Sequence, residues 1–155
     1  MPFDQSTPIA FLGMGLMGTR MATRLCKAGY KVAVWNRSPE ACVAIIKQGA
    51  NALELEQIGN YPVILMCLAD DAAVQKVFER IQPFLRVDQT VVDFSSLSVS
   101  ATHQLALTAK QQNVTWIDSP VSGGTMGAEQ GSLVIFAGGD AETIQRLEPI
   151  HQVLS

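Results

Sequence analysis

The sequence predicts an α/β fold, a doubly wound and mostly parallel sheet with helices on both faces, built as a single domain. Three observations lead there. Short apolar runs of strand length alternate with longer stretches of helical periodicity. Runs such as Val63–Leu68 are continuously apolar, as in strands buried on both faces of a parallel sheet. The first run, Ile9–Leu12, passes directly into three glycines at the spacing G-x-G-x-x-G (Gly13, Gly15, Gly18), which open a helical pattern.

The elements follow in order. After the strand Ile9–Leu12, Met17, Met21, Leu25 and Ala28 recur at helical spacing until Gly29 stops them. Val32–Trp35 is the second strand, and its helix carries Cys42, Ile45 and Ile46 on one face with Gly49 at its end. A polar stretch with Glu54 and Glu56 leads to the strand Val63–Leu68. The next helix begins at Asp70-Asp71, whose charges suit a helix N-terminus, and turns Val74, Val77, Phe78 and Ile81 inward. Thr90–Phe94 is a strand ending in Ser95-Ser96, followed by a helix from Ser98 to Lys110 with Leu105 and Ala109 inward. Val114–Ile117 is the next strand. A glycine-rich segment from Asp118 to Gly131 separates it from a further strand, Leu133–Ala137, and Gly138-Gly139-Asp140 turns into one last short helix.

Composition narrows the function. A chain of 155 residues, 48% apolar, supports one core, and its net charge of -3 lacks the basic face that nucleic acid or an anionic membrane requires. No apolar run reaches membrane-spanning length, roughly 18 residues, and Met1–Pro8 has no signal-peptide character. Cys26, Cys42 and Cys67 are scattered, with no zinc spacing and no C-x-x-C pair, so they read as buried thiols of a reducing cytoplasm. No metal site is expected. His103 reads as a solvated surface histidine, and His151 has no pattern around it.

The glycines between strand and helix predict a dinucleotide site. Gly13 permits the tight turn, Gly15 removes a Cβ that would keep the backbone from a pyrophosphate, and Gly18 lets the helix lie close on the sheet. The phosphates would meet unpaired amides at the helix N-terminus. In an NAD binder an acidic residue about 20 residues on accepts from the ribose hydroxyls. That place is taken here by Asn36, followed by Arg37 and Ser38. A neutral amide does not repel a 2′-phosphate, and a guanidinium offers it a planar fork, so NADP is expected, with NADPH preferred over NADH. Ser38 with Pro39 also suits a helix start.

With both glycine segments in view, the chain resembles the β-hydroxyacid dehydrogenases, the family of 3-hydroxyisobutyrate dehydrogenase, tartronate semialdehyde reductase and the glyoxylate and succinic semialdehyde reductases. Gly13-Met14-Gly15-Leu16-Met17-Gly18 matches the family's G-x-G-x-M-G signature. Asp118-Ser119-Pro120-Val121-Ser122-Gly123-Gly124, with Ala128 and Gly131, matches its substrate-binding signature. The resemblance implies that Leu68 and Ala69 touch the cofactor and that Ser96 lies near nicotinamide and substrate. It also implies that Ser122, Gly123 and Gly124 hold a substrate carboxylate, Ser122 orienting the substrate for catalysis. The implied reaction is reversible hydride transfer between NADP(H) and a small hydroxy acid, semialdehyde or keto acid, in a cytoplasmic homo-oligomer. The general acid–base lysine is implied on a helical second domain outside residues 1–155. Lys27, Lys31, Lys47, Lys76 and Lys110 lie away from the signature loops, so this chain alone is expected to bind coenzyme and turn over poorly. A standalone nucleotide sensor and an imine reductase are the competing readings. The retained Ser122-Gly123-Gly124 speaks against both.

Overall fold

The computed structural model describes residues 1–155. Six parallel strands form one sheet: β1 (Ile9–Leu12), β2 (Val32–Trp35), β3 (Asn51–Ala52), β4 (Val63–Met66), β5 (Thr90–Asp93) and β6 (Thr115–Asp118), in the spatial order β3-β2-β1-β4-β5-β6. Strand order reverses between β1 and β4, and such a switch point opens a ligand crevice at the carboxyl ends of the strands. The doubly wound Rossmann-like expectation is met.

Side chains alternate across this sheet and divide the core in two. Ile9, Phe11, Val32, Val34, Val63, Leu65, Val92 and Ile117 point to one face, where α1 (Leu16–Lys27) and α2 (Val43–Lys47) supply Met21, Leu25 and Ile45. Ala10, Leu12, Ala33, Ile64, Met66, Val91 and Trp116 point to the other, covered by α3 (Asp71–Ile81) and α4 (Val99–Gln111). Both helices start as their sequences predict. Asp70 accepts from the Ala73 amide at 2.9 Å, and Ser98 Oγ from the Ala101 amide at 3.2 Å.

Several boundaries differ from expectation. The run Val63–Leu68 stops as strand at Met66 because the Leu68 amide turns to Ser95 Oγ, 2.8 Å away. Asp93, not Phe94, ends β5, and the last large strand is shifted by one, since the Val114 amide closes α4 on Ala109 O. The helix bearing Cys42 and Ile45 begins as a 3-10 turn, Pro39–Cys42, and Ile46 is partly exposed rather than inward. The polar stretch after Gly49 contains the two-residue β3.

The largest departure lies after Asp118. Leu133–Ala137 is not a strand of the main sheet. Only β8 (Val134–Ile135) is extended, and it pairs antiparallel with β7 (Val121–Ser122) in a separate ribbon. The glycine-rich segment contains a helix, α5 (Gly124–Gln130), with Gly127 and Ala128 buried. Two helices, α6 (Ala141–Arg146) and α7 (Glu148–Leu154), replace the single terminal helix expected.

Arg24 ties this terminal region to α1. Its Nε donates to Val153 O at 3.0 Å and its Nη1 to Glu129 O at 3.2 Å. Arg24→Ala is expected to lower stability by about 1–2 kcal/mol through two carbonyls that lose their donor, measured as a reduced urea midpoint at unchanged slope.

Candidate functional site

The crevice is built from the loops after β1, β2, β4, β5 and β6. Gly13 leaves β1 with φ +107°, and its amide donates to Trp35 O at 2.8 Å. A Cβ on Gly13 would lie 2.1 Å from Cys67 O and 2.9 Å from Leu68 Cδ2, so the turn is packed against the loop after β4. A Cβ on Gly18 would lie 1.8 Å from Gly13 O, which shows how closely α1 approaches the turn. Around Gly15, in contrast, a Cβ would meet nothing within 4 Å.

That contrast is the fit expected of a nucleotide cradle. Two glycines are required by the protein's own backbone, and the third faces open space at the N-terminus of a 12-residue helix. The first amides of a helix have no carbonyl one turn behind them. Here the Thr19 amide bonds back to Gly15 O at 3.0 Å, while Gly15 and Leu16 are exposed and Met17 is half-buried.

Met14 and Asn36 also hold the turn itself together. The Met14 side chain is buried, its amide donates to Asn36 Oδ1 at 2.9 Å, and its carbonyl accepts from Thr19 Oγ1 at 2.9 Å. Asn36 Nδ2 in turn donates to Ser38 O at 3.0 Å. The Asn36 amide thus clips the glycine turn to the loop after β2. Arg37 and Ser38 are exposed beside it, and Ser38 starts the 3-10 turn without a side-chain cap, so its hydroxyl is free.

On the other side of the switch point, Leu68 is half-buried and Ala69 and Ser96 are exposed. Ser122, Gly123 and Gly124 are exposed where β7 meets α5, the two glycines at φ +133° and +63°. The predicted site residues lie on loops after strands, at adjoining helix starts or, for Ser122, in β7, and none of them is mid-helix. His103 is exposed on α4, as expected. His151 packs its ring edge-on to Phe94, 6.3 Å between centroids, and burial lowers its pKa.

Two residues at this end carried no role in the sequence reading, Asp93 and Ser95. Asp93 is fully buried at the end of β5. Burial pushes its carboxyl up to about 6, against the pull of the Ser95 hydroxyl and amide, with a further push from the Asp118 and Asp71 charges. Burial, and then the Asp93 charge, push the neighbouring Cys67 thiol up to about 12, which leaves it un-ionised and unreactive as a nucleophile. The available signal was an acid closing an otherwise apolar strand, Thr90-Val91-Val92-Asp93.

Residues 8–155 match the family described as the NAD binding domain of 6-phosphogluconate dehydrogenase. The 2-(hydroxymethyl)glutarate dehydrogenase of Eubacterium barkeri is 31% identical over 156 residues, covering 97% of this chain and 52% of that protein. Among solved structures, the Mycobacterium tuberculosis 3-hydroxyisobutyrate dehydrogenase with L-serine superposes with a TM-score of 0.92 at 28% identity, over 96% of this chain and 52% of the other. Psf3 in complex with NADP+ and 2-OPP does so with a TM-score of 0.89 at 31% identity, over 94% and 54%. The chain therefore spans about half the length of the relatives it matches. A glycine turn clipped by Asn36, a switch-point crevice and a family match over nearly every residue agree, and the chain is an NAD(P)-binding domain of the β-hydroxyacid dehydrogenase family.

Proposed function

We propose that this domain binds NADP(H) in preference to NAD(H) and serves hydride transfer between that coenzyme and a small hydroxy acid, semialdehyde or keto acid. The observation that carries the coenzyme preference is the end of β2. Asn36, where an NAD binder has a carboxylate, is neutral and has its amide committed to Met14 and Ser38, and exposed Arg37 stands next to it. A carboxylate there would repel a 2′-phosphate, whereas a guanidinium binds one through two parallel hydrogen bonds.

Each part of the crevice then has a task. The open amides at the start of α1 receive the pyrophosphate, and Leu68 and Ala69 border the reactive end. Ser96 and Ser122, with the amides of Gly123 and Gly124, orient a substrate carboxylate. The nicotinamide supplies the hydride. A proton for the nascent alkoxide must come from a group within hydrogen-bond reach, and the lysines of this chain do not stand there. Lys31 precedes β2, Lys27, Lys47 and Lys110 occupy the ends of helices that run back from the crevice, and Lys76 lies in mid-α3. The proton donor accordingly belongs to a second, helical domain, through which the full protein also self-associates. Psf3, similar over 94% of this chain, is described in complex with NADP+ and supports the coenzyme reading.

Calorimetry with both coenzymes is the test. NADPH should bind more tightly than NADH. Arg37→Ala should weaken NADPH about 10- to 50-fold, the worth of a charge-assisted pair, and leave NADH nearly unchanged. Equal wild-type affinities for the two would overturn the preference.

A further inference from the structure

A buried polar chain runs under the crevice and links three of its loops. The Ser95 amide donates to Asp93 Oδ1 at 3.0 Å, and Ser95 Oγ accepts from the Leu68 amide at 2.8 Å. Leu68 is in turn the residue whose Cδ2 stands 2.9 Å from the Cβ position of Gly13. Asp93 O also accepts from the Ser119 amide at 2.8 Å, at the start of the loop that leads to Ser122.

The arrangement is costly in free energy. Asp93 is entirely out of solvent, and its Oδ2 is buried without a hydrogen-bond partner. Such an oxygen destabilises a fold. An apolar residue would end β5 more favourably, as Met66 ends β4 beside it. What an apolar residue could not do is accept a hydrogen bond from Ser95 and thereby hold its hydroxyl under the Leu68 amide.

We propose that Asp93 is a positioning residue for the coenzyme crevice: acting through Ser95, it fixes the Leu68 amide and so the wall against which the Gly13 turn is packed. Asp93 Oδ1 holds Ser95 by its amide, and a hydrogen bond to an anion is stronger than one to a neutral carboxyl, so the charged form keeps the Ser95 hydroxyl more firmly under the Leu68 amide. When Asp93 takes a proton, that anchor weakens and the Leu68 loop loosens. The titratable groups facing Asp93 are Asp118 on β6, Asp71 on α3 and Cys67 beyond β4. His151 on α7 lies behind Phe94.

The inference rests on the coenzyme reading only for its second readout. The first is the ¹⁵N–¹H spectrum of the whole chain between pH 4.5 and 8. The Leu68 amide is expected to shift with a midpoint near that of Asp93, about 6, and to lose this titration in Asp93→Asn and in Ser95→Ala. Ser95→Thr, which keeps the hydroxyl, should retain it. A Leu68 amide that does not titrate in the wild type, that titrates unchanged in Asp93→Asn, or that loses its titration in Asp118→Asn or His151→Gln instead, would overturn the proposal.

The second readout is NADPH affinity by fluorescence at pH 7.5. Ser95→Ala should weaken it roughly fivefold, the scale of one hydrogen bond, with restoration in Ser95→Thr. Unchanged affinity in folded Ser95→Ala would overturn the link to the crevice. Should Ser95→Ala fail to fold, Asp93→Asn carries the same affinity test against wild type. If the wild type binds no nucleotide at all, the coenzyme reading fails, while the Leu68 titration still decides whether Asp93 positions the loop.

Discussion

Gly18→Ala is expected to cost about 3 kcal/mol or more in stability, a large fraction of the roughly 5–15 kcal/mol that holds a domain folded. The added methyl would stand 1.8 Å from Gly13 O and 2.9 Å from Gly13 C. Neither neighbour is a flexible side chain that can swing aside. Gly13 is fixed by its amide bond to Trp35 O, by its positive φ and by the Cys67 carbonyl against it. Relief therefore requires α1 to move off the sheet, and α1 carries Met21, Ala22 and Leu25, all fully buried. Overpacking usually costs less because side chains repack; two pieces of constrained backbone cannot.

Gly15→Ala separates folding from binding at the same loop. Gly15 has an ordinary φ of -76°, and its Cβ would meet nothing. Its thermal midpoint should stay within a few degrees of wild type, since the change amounts to a few tenths of a kcal/mol up to about 1 kcal/mol. Nucleotide affinity should fall about 100-fold, because the methyl occupies the space a pyrophosphate needs to reach the amides. Differential scanning calorimetry and nucleotide titration on the two variants make the comparison. A Gly18→Ala chain as stable as wild type would contradict the packing, and a Gly15→Ala chain that bound normally would contradict the cradle.

The tasks of Gly13 and Gly18 were legible in the sequence because each is local to one strand–turn–helix unit. So were α3 and α4, whose starts are written in Asp70 and Ser98 within a single turn. What escaped has physical reasons. The strand β3 is two exposed residues, Asn51 and Ala52, with neither apolar content nor alternation to betray it. Helix α5 contains Gly124 and Gly127, which lower intrinsic helicity, and it forms because Gly127 and Ala128 are buried there, with α5 tied to α1 through Arg24. Asn36 could be read as a coenzyme contact but not as the clip on Met14, because that bond joins residues 22 apart. Ser95 meets Leu68 across 27 residues, a pairing set by the register of β4 with β5 that no local pattern contains.

Asp93→Asn is expected to raise the stability of the domain at pH 7.5 and to flatten part of its pH dependence. The folded-state carboxyl titrates at about 6, above its ordinary 3.8. The folded chain therefore holds this proton more tightly than the unfolded chain. The favourable contribution is fully present below pH 3.8, declines as the pH rises between 3.8 and 6, and is gone above that range. At about 1.36 kcal/mol per pH unit the difference amounts to about 3 kcal/mol. Asparagine removes the buried charge while keeping an oxygen for the Ser95 amide, so the gain at pH 7.5 should be about 1–3 kcal/mol, smaller where the charge-assisted bond is lost. Other groups act in the opposite sense. Burial lowers the His151 pKa from 6.5, so its contribution is present above that value and declines as pH falls below it. Hydrogen bonds from Ser6, Ser98 and Thr143 lower the carboxyls of Asp4, Asp71 and Asp140, whose contributions are lost only at more acid pH. Wild-type stability alone therefore mixes opposing slopes, and the difference between Asp93→Asn and wild type, taken from urea unfolding at pH 4, 5, 6 and 7.5, isolates the one carboxyl. That difference should favour the variant at pH 7.5 and shrink toward zero at pH 4. A variant less stable than wild type at pH 7.5 would mean that the carboxylate's bonds to Ser95 outweigh the cost of burying its charge.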